Sequence, residues 1–392
     1  MNENNSLLEQ NYLDLKSKAK KVIEDLFAQH SNFHSLSEEL ISDLRSKYAD
    51  SPYRFRFVVQ KYFMNVTFDY RAIPYRYILP VFDFYLTQKF YPSYNKVIST
   101  YKDDFIQRSR NIRQIFPDLI ETEEDVSQII KLIMACTLTT YISHPIFTVK
   151  KERLKHSYLA GFYLGIAYLI SDKILDNKNI TITEKFYLHN EILKFLSNPQ
   201  NAVVEHPLIK PFACQVISEF EPKSSITQYE LLYHLQRIQF EDALFIFNEK
   251  SIDSIKEKTV NSGLKTFLSL QAVQSCGRDF DMFKNFQTNF LYSLLVQLDD
   301  DLRDIKKDRE QGIRTFFSDS IESEHFSPHK LYLALVAIFV GKNKQLTWMY
   351  TDYFAHLKNP NNQGSLDHDK IILFLEKTTS CNLKDLTHQI LH

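Results

Sequence analysis

Scarcity of glycine constrains this chain more than any motif it carries: there are seven glycines, and twelve prolines, in 392 residues. Tight turns, strand bulges and phosphate-cradling loops need backbone that glycine adopts at little cost, so a glycine-poor chain has few routes to a sheet protein. Leu, Ile, Phe and Lys are abundant, and no run alternates β-branched with polar residues. No Walker-type or dinucleotide-binding fingerprint can be assembled from these glycines, which argues against nucleotide-binding α/β folds. The expectation is an all-α protein.

Apolar periodicity agrees. Leu15, Ala19, Val22, Ile23, Leu26 and Phe27 recur at helical spacing, and Ser35-Leu-Ser-Glu is a helix start. Residues 52–92 are rich in aromatics and arginine and are broken by Pro74 and Pro80, which suits either a packing layer with snorkelling arginines or a wall of an aromatic pocket. Further helices are expected over Tyr94–Phe116, from an N-cap at Thr122 to Tyr141, over Arg153–Leu175, from Thr181 to Leu196, and over 205–222 and 225–250. Thr259-Val-Asn-Ser-Gly263 precedes a helix at Leu264–Ser275. An aspartate-bearing helix starts near Phe280, and the tail carries helices at Pro328–Val340, Leu346–Leu357 and Asp369–Leu375. No linker divides the chain. It reads as one helical domain, with an N-terminal helical region over 1–110 and a core over 111–392.

A net charge of −1 implies no basic face for nucleic acid. Cys136, Cys214, Cys276 and Cys381 form no CxxC pair and read as buried thiols in a reducing cytoplasm. The N-terminus is polar, and no apolar run approaches the roughly 20 residues that span a bilayer. The expected protein is soluble and cytoplasmic.

Against this background one stretch stands out: Gln297-Leu-Asp-Asp-Asp-Leu-Arg-Asp-Ile-Lys-Lys-Asp308. On a helix Asp300, Asp304 and Asp308 fall within an arc of about 80°, so three carboxylates share a face. Like charges at i,i+4 destabilise a helix by about 0.2–0.5 kcal/mol per pair, and a divalent cation would relieve the repulsion. Asp299 lies about 100° away and is expected to face solvent. A second pair, Asp172 and Asp176, ends the Arg153–Leu175 helix. Gly161, Gly165, Asp172 and Asp176 lie within about 60° of one stripe. Each mid-helix glycine costs about 1 kcal/mol relative to alanine, so something approaches that stripe closely. Either a neighbouring helix or a ligand beneath the carboxylates fits. Gly161, Gly165 and Tyr168 are the candidate cavity residues. Carboxylates on two helices suit Mg²⁺, which takes oxygen ligands from one or two carboxylates, waters and substrate phosphates.

Asp172-Lys-Ile-Leu-Asp176 and Asp300-Asp-Leu-Arg-Asp304 resemble the paired aspartate-rich motifs of class I isoprenoid synthases. The likeness covers roughly residues 150–320. It implies a terpenoid synthase-like helical bundle around a central cavity, with the motifs on opposed helices at its mouth. Three Mg²⁺ ions there would bind the diphosphate of a prenyl substrate, held by Asp172 and Asp176 on one side and by Asp300, Asp304 and Asp308 on the other. Lys265 in Gly263-Leu-Lys-Thr266, together with Arg303, Lys307 and Arg314, would bind the diphosphate. The form Asp-x-x-Leu-Asp-Asn after a long N-terminal helical region is most similar to the bacterial large terpene synthases. No arginine pair follows Asp176 and no Gly-Lys-Arg precedes it, a departure from chain-elongating prenyl diphosphate synthases.

The leading expectation is therefore a Mg²⁺-dependent class I terpene synthase that ionises a linear prenyl diphosphate to a terpene hydrocarbon or alcohol. A prenyltransferase, elongating or of the squalene/phytoene head-to-head kind, is the alternative. A helical lipid- or partner-binding protein is the non-enzymatic one. A homodimer is compatible with all three.

Overall fold

A computed structural model describes residues 3–29, 96–142, 151–175, 179–206, 209–219, 222–244, 251–276, 282–283, 285–303, 305–311, 314–319, 327–332, 334–335, 376 and 381–392. Every regular element among them is an α-helix. In chain order these are α1 (Glu3–Gln29), α2 (Lys96–Thr100), α3 (Lys102–Ile115), α4 (Glu123–Ile142), α5 (Lys151–Leu175) and α6 (Ile182–Ser197). They continue with α7 (Ile209–Glu219), α8 (Pro222–Leu244), α9 (Ile252–Ser275), α10 (Phe286–Arg303), α11 (Ile305–Gln311) and α12 (Leu383–Leu391). The expected helix start at Ser35, the aromatic and arginine-rich stretch and the two later tail helices lie outside the described residues.

Helix starts follow local side-chain chemistry. Thr122 Oγ1 accepts from the Asp125 amide at 3.2 Å, while Asp125 Oδ2 accepts from the Thr122 amide at 2.9 Å. This reciprocal cap begins α4. Thr181 caps α6 by accepting from the Glu184 amide at 3.3 Å, and Ser251 caps α9 through the Ser254 amide at 3.2 Å. Two expected boundaries move. The single helix over Tyr94–Phe116 is divided between α2 and α3 at Tyr101. Conversely, Thr259–Gly263 does not precede α9 but runs through it. Thr259 Oγ1 donates to the Ile255 carbonyl at 2.7 Å, and a Cβ on Gly263 would sit 2.8 Å from the Phe290 ring. The glycine that looked like a break is where α10 packs.

Burial arranges the helices around two apolar clusters. One gathers α1, α9, α10, Phe316, Phe317 and the segment from Leu331 to Leu335; the other gathers α3 to α7 and α12. Helix α8 belongs to both, giving Leu231, Leu235 and Ile238 to the first and Tyr229 and Tyr233 to the second. Helix α1 supplies a wall of the first cluster, with Tyr12, Leu15, Ala19 and Ile23 almost fully buried. Each large aliphatic contributes about 1.5–3 kcal/mol by leaving water. Polar contacts along the other flank of α1 fix its register on α8: Asn11 Nδ2 donates to Glu230 at 2.9 Å, Lys16 pairs with Glu241 at 2.6 Å, and Arg237 pairs with Glu9. None of the helices among the described residues is long and apolar enough to cross a membrane.

Candidate functional site

The Asp172 end of α5 is seated by its glycines. A Cβ on Gly161 would lie 2.4 Å from Ile133 Cα, and one on Gly165 would lie 2.8 Å from Ile129 Cα. Helix α4 therefore fills the notch, and these two glycines line no ligand cavity; the close-packing reading of the stripe is the correct one. Tyr168, the third candidate cavity residue, is 42% exposed. The last turn of α5 is clamped to the start of α4: Lys173 Nζ donates to the Asp118 carbonyl at 2.7 Å and lies 3.4 Å from Asp125 and 3.7 Å from Glu121. Asp172, one residue before, is exposed. Ser171 donates to Gln236 Oε1 of α8 at 3.0 Å. Asp176 lies outside the described residues.

At the end of α10 the aspartates divide by environment. Asp299, expected to face solvent, is 1% exposed and accepts a hydrogen bond from the Tyr332 hydroxyl at 3.0 Å. That correction has a plain cause: the segment around Leu331 covers the side of α10 that a lone helix would leave to water. Asp300 is exposed, Asp301 is buried, and Asp308 on α11 is buried as well. Helix α10 is described as far as Arg303 and α11 from Ile305, with Asp304 outside the described residues. The side chains of Arg303 and Lys307 also lie outside them. Arg314 is paired with Asp319 at 3.0 Å.

What the fold adds is a polar layer between α8, α9 and α10. Asp242 on α8 receives Lys258 at 2.6 Å and Lys265 at 3.1 Å, both from α9. Gln297 on α10 donates to Asp301 at 2.6 Å and accepts from Thr266 at 2.5 Å. Burial pushes the Asp242 carboxyl up, but the two ammonium groups outweigh it and hold its pKa below the ordinary value. Burial likewise pulls Lys265 down, and the charges of Asp242, then Asp301 and Asp300, more than reverse that. Asp301 behaves differently: burial pushes it up to about 6, against the pull of Lys265 and the Gln297 hydrogen bond. Asn261, on the same stretch of α9, buries an Oδ1 that has no hydrogen-bond partner among the described residues.

Register ties the two aspartate ends to this layer. Helices α8 and α9 run antiparallel, with Gln228 Nε2 donating to Cys276 at 3.1 Å near one end and Asp242 holding Lys258 and Lys265 near the other. In that pairing Gln236, which holds Ser171, is level with α9 within about one turn of Lys265, or ~5 Å. Lys265 in turn feels Asp300 and Asp301. Ser171, beside Asp172, and Lys265 therefore lie at similar height along α8.

No group of three or more His, Cys, Asp or Glu side chains gathers as a metal cage among the described residues. The exposed carboxylates of Asp172 and Asp300 are hard oxygen donors of the kind that bind Mg²⁺ together with waters and phosphate rather than as a closed protein cage. Of the layer, Asp242, Lys258, Gln297 and Asp301 were missed from sequence. Lys258 and Lys265, seven residues apart, share a helix face, but only the packing of α8 supplies the carboxylate between them. No protein-family model matches the chain, and no curated protein or solved structure was found to match it.

Proposed function

We propose that this chain is a Mg²⁺-dependent class I terpene synthase, acting on a linear prenyl diphosphate. The observation that carries the reading is the charged layer from Asp242 through Lys258 and Lys265 to Asp301, with the exposed Asp172 next to Ser171, which holds Gln236 of α8, and the exposed Asp300 next to Asp301. Asp172 and Asp176 on one side, and Asp300 and Asp304 on the other, would hold the metal; Mg²⁺ there would neutralise diphosphate charge and stabilise it as a leaving group. Lys265, which is ion-paired with Asp242 and feels the charge of Asp300, would orient the diphosphate. Reaction breaks the allylic C–O bond, and the electron pair leaves with the diphosphate. The resulting cation loses a proton or captures water, giving a hydrocarbon or an alcohol. Dry apolar surroundings protect such a cation, and aromatic faces stabilise it.

Incubation of the purified chain with prenyl diphosphates of increasing length and Mg²⁺ tests the reading directly. Metal-dependent diphosphate release is expected, and Asp172→Ala or Asp300→Ala should abolish it while helical circular dichroism is unchanged. No release with any chain length, or activity that survives both substitutions, would overturn the assignment.

A further inference from the structure

Two of the four cysteines, far apart in sequence, meet where α4 packs on the C-terminal end of α9. Cys136 is fully buried in a small cluster with Ala135 and Val273, and Cys276 packs against it. The contact is pinned one turn away on each helix, because Thr139 Oγ1 donates to the Val273 carbonyl at 3.2 Å. The neighbouring Cys276 and burial push the Cys136 thiol well up. Gln228 Nε2 donates to the Cys276 sulfur, at 3.1 Å. Cys276, the more accessible member of the pair, itself donates to the Ala272 carbonyl at 3.5 Å.

We propose that Cys136 and Cys276 form a reversible redox pair whose disulfide fastens α4 to the end of α9. Cys276, as thiolate, attacks a low-molecular-weight disulfide; that S–S bond breaks and one thiolate departs. Cys136 then gives up its proton and attacks the Cys276 sulfur, displacing the second thiolate. The two protein thiols lose two electrons, the small disulfide is reduced to two thiols, and these take up the two protons. Bridging needs the sulfurs to close to about 2.0 Å. Helix α9 also carries Lys258 and Lys265, so the bond would act on the element that bears the charged layer. The proposal does not depend on the reaction assigned above.

Equilibration of the full chain with glutathione disulfide, followed by alkylation and peptide mapping without reductant, tests it. A Cys136–Cys276 linked peptide that disappears with dithiothreitol is expected, along with a melting temperature several degrees above that of the reduced chain. Cys136→Ser should leave glutathione trapped on Cys276. Exposed Cys214 serves as the internal control for oxidant access. Glutathione on Cys214 with no linked peptide in the wild-type chain would overturn the proposal, whether or not the serine variant folds.

Discussion

Gly161 shows how a single residue can decide between two meanings of one pattern. On a helical wheel it shares a stripe with Asp172, and either a ligand or a helix could occupy the missing side chain's space. The contact at 2.4 Å is with the Ile133 backbone, which cannot rotate away as a side chain could. Gly161→Ala should therefore destabilise the fold by about 1–3 kcal/mol, despite the ~1 kcal/mol gain in helix propensity. Urea unfolding checks this, and an alanine variant as stable as the wild type would refute the packing. Asp301 supports a prediction of a different kind. Its pKa of about 6 in the fold exceeds the ordinary 3.8, so between those values the folded state binds more protons than the unfolded one. Stability therefore falls as pH rises through that window, by up to ~3 kcal/mol, and is flat above it. Asp301→Asn keeps an oxygen for Gln297 and cannot ionise. Its stability relative to wild type should rise between about pH 4 and about pH 6.5, read from urea midpoints at both; a constant difference would mean the carboxyl is not desolvated.

Among the elements, α9 does most to organise the molecule, touching α1, α4, α8 and α10. Its polar face is neutralised from α8 by Asp242, whose removal would leave the buried Lys258 ammonium without its carboxylate. Asp242→Ala should cost about 3–5 kcal/mol, the penalty for a buried charge stripped of its partner. Asp242→Ala with Lys258→Met should recover part of that loss in the same denaturation assay. Helix α1 makes the complementary point. Its apolar positions are readable from spacing alone, yet spacing did not say which helices they meet. Leu15, fully buried against the α9–α10 cluster, should cost about 2–5 kcal/mol as Leu15→Ala. A much smaller cost would mean that α1 is docked by its charged flank alone.

At the scale of the whole molecule, a metal–diphosphate site has a signature separate from turnover. Mg²⁺ and inorganic diphosphate added together should raise the melting temperature more than either alone, because a ligand that binds only the folded state stabilises it by mass action. Asp300→Asn should remove the shift, measured by scanning fluorimetry. The sequence by itself determined that the described chain is helical: poverty in glycine, 3.6-residue periodicity and the caps at Thr122 and Thr181 are local properties, and local rules govern them. It also determined which stretches concentrate carboxylates. Tertiary structure alone decided which of those carboxylates meet water. Asp299 is covered by the Tyr332 segment, Asp301 lies inside the charged layer, and Asp172 and Asp300 stay exposed on different helices. The reason is physical. A helix places neighbouring aspartates about 100° apart whatever surrounds it, but only the helices packed against it set the water and counter-charge each one finds.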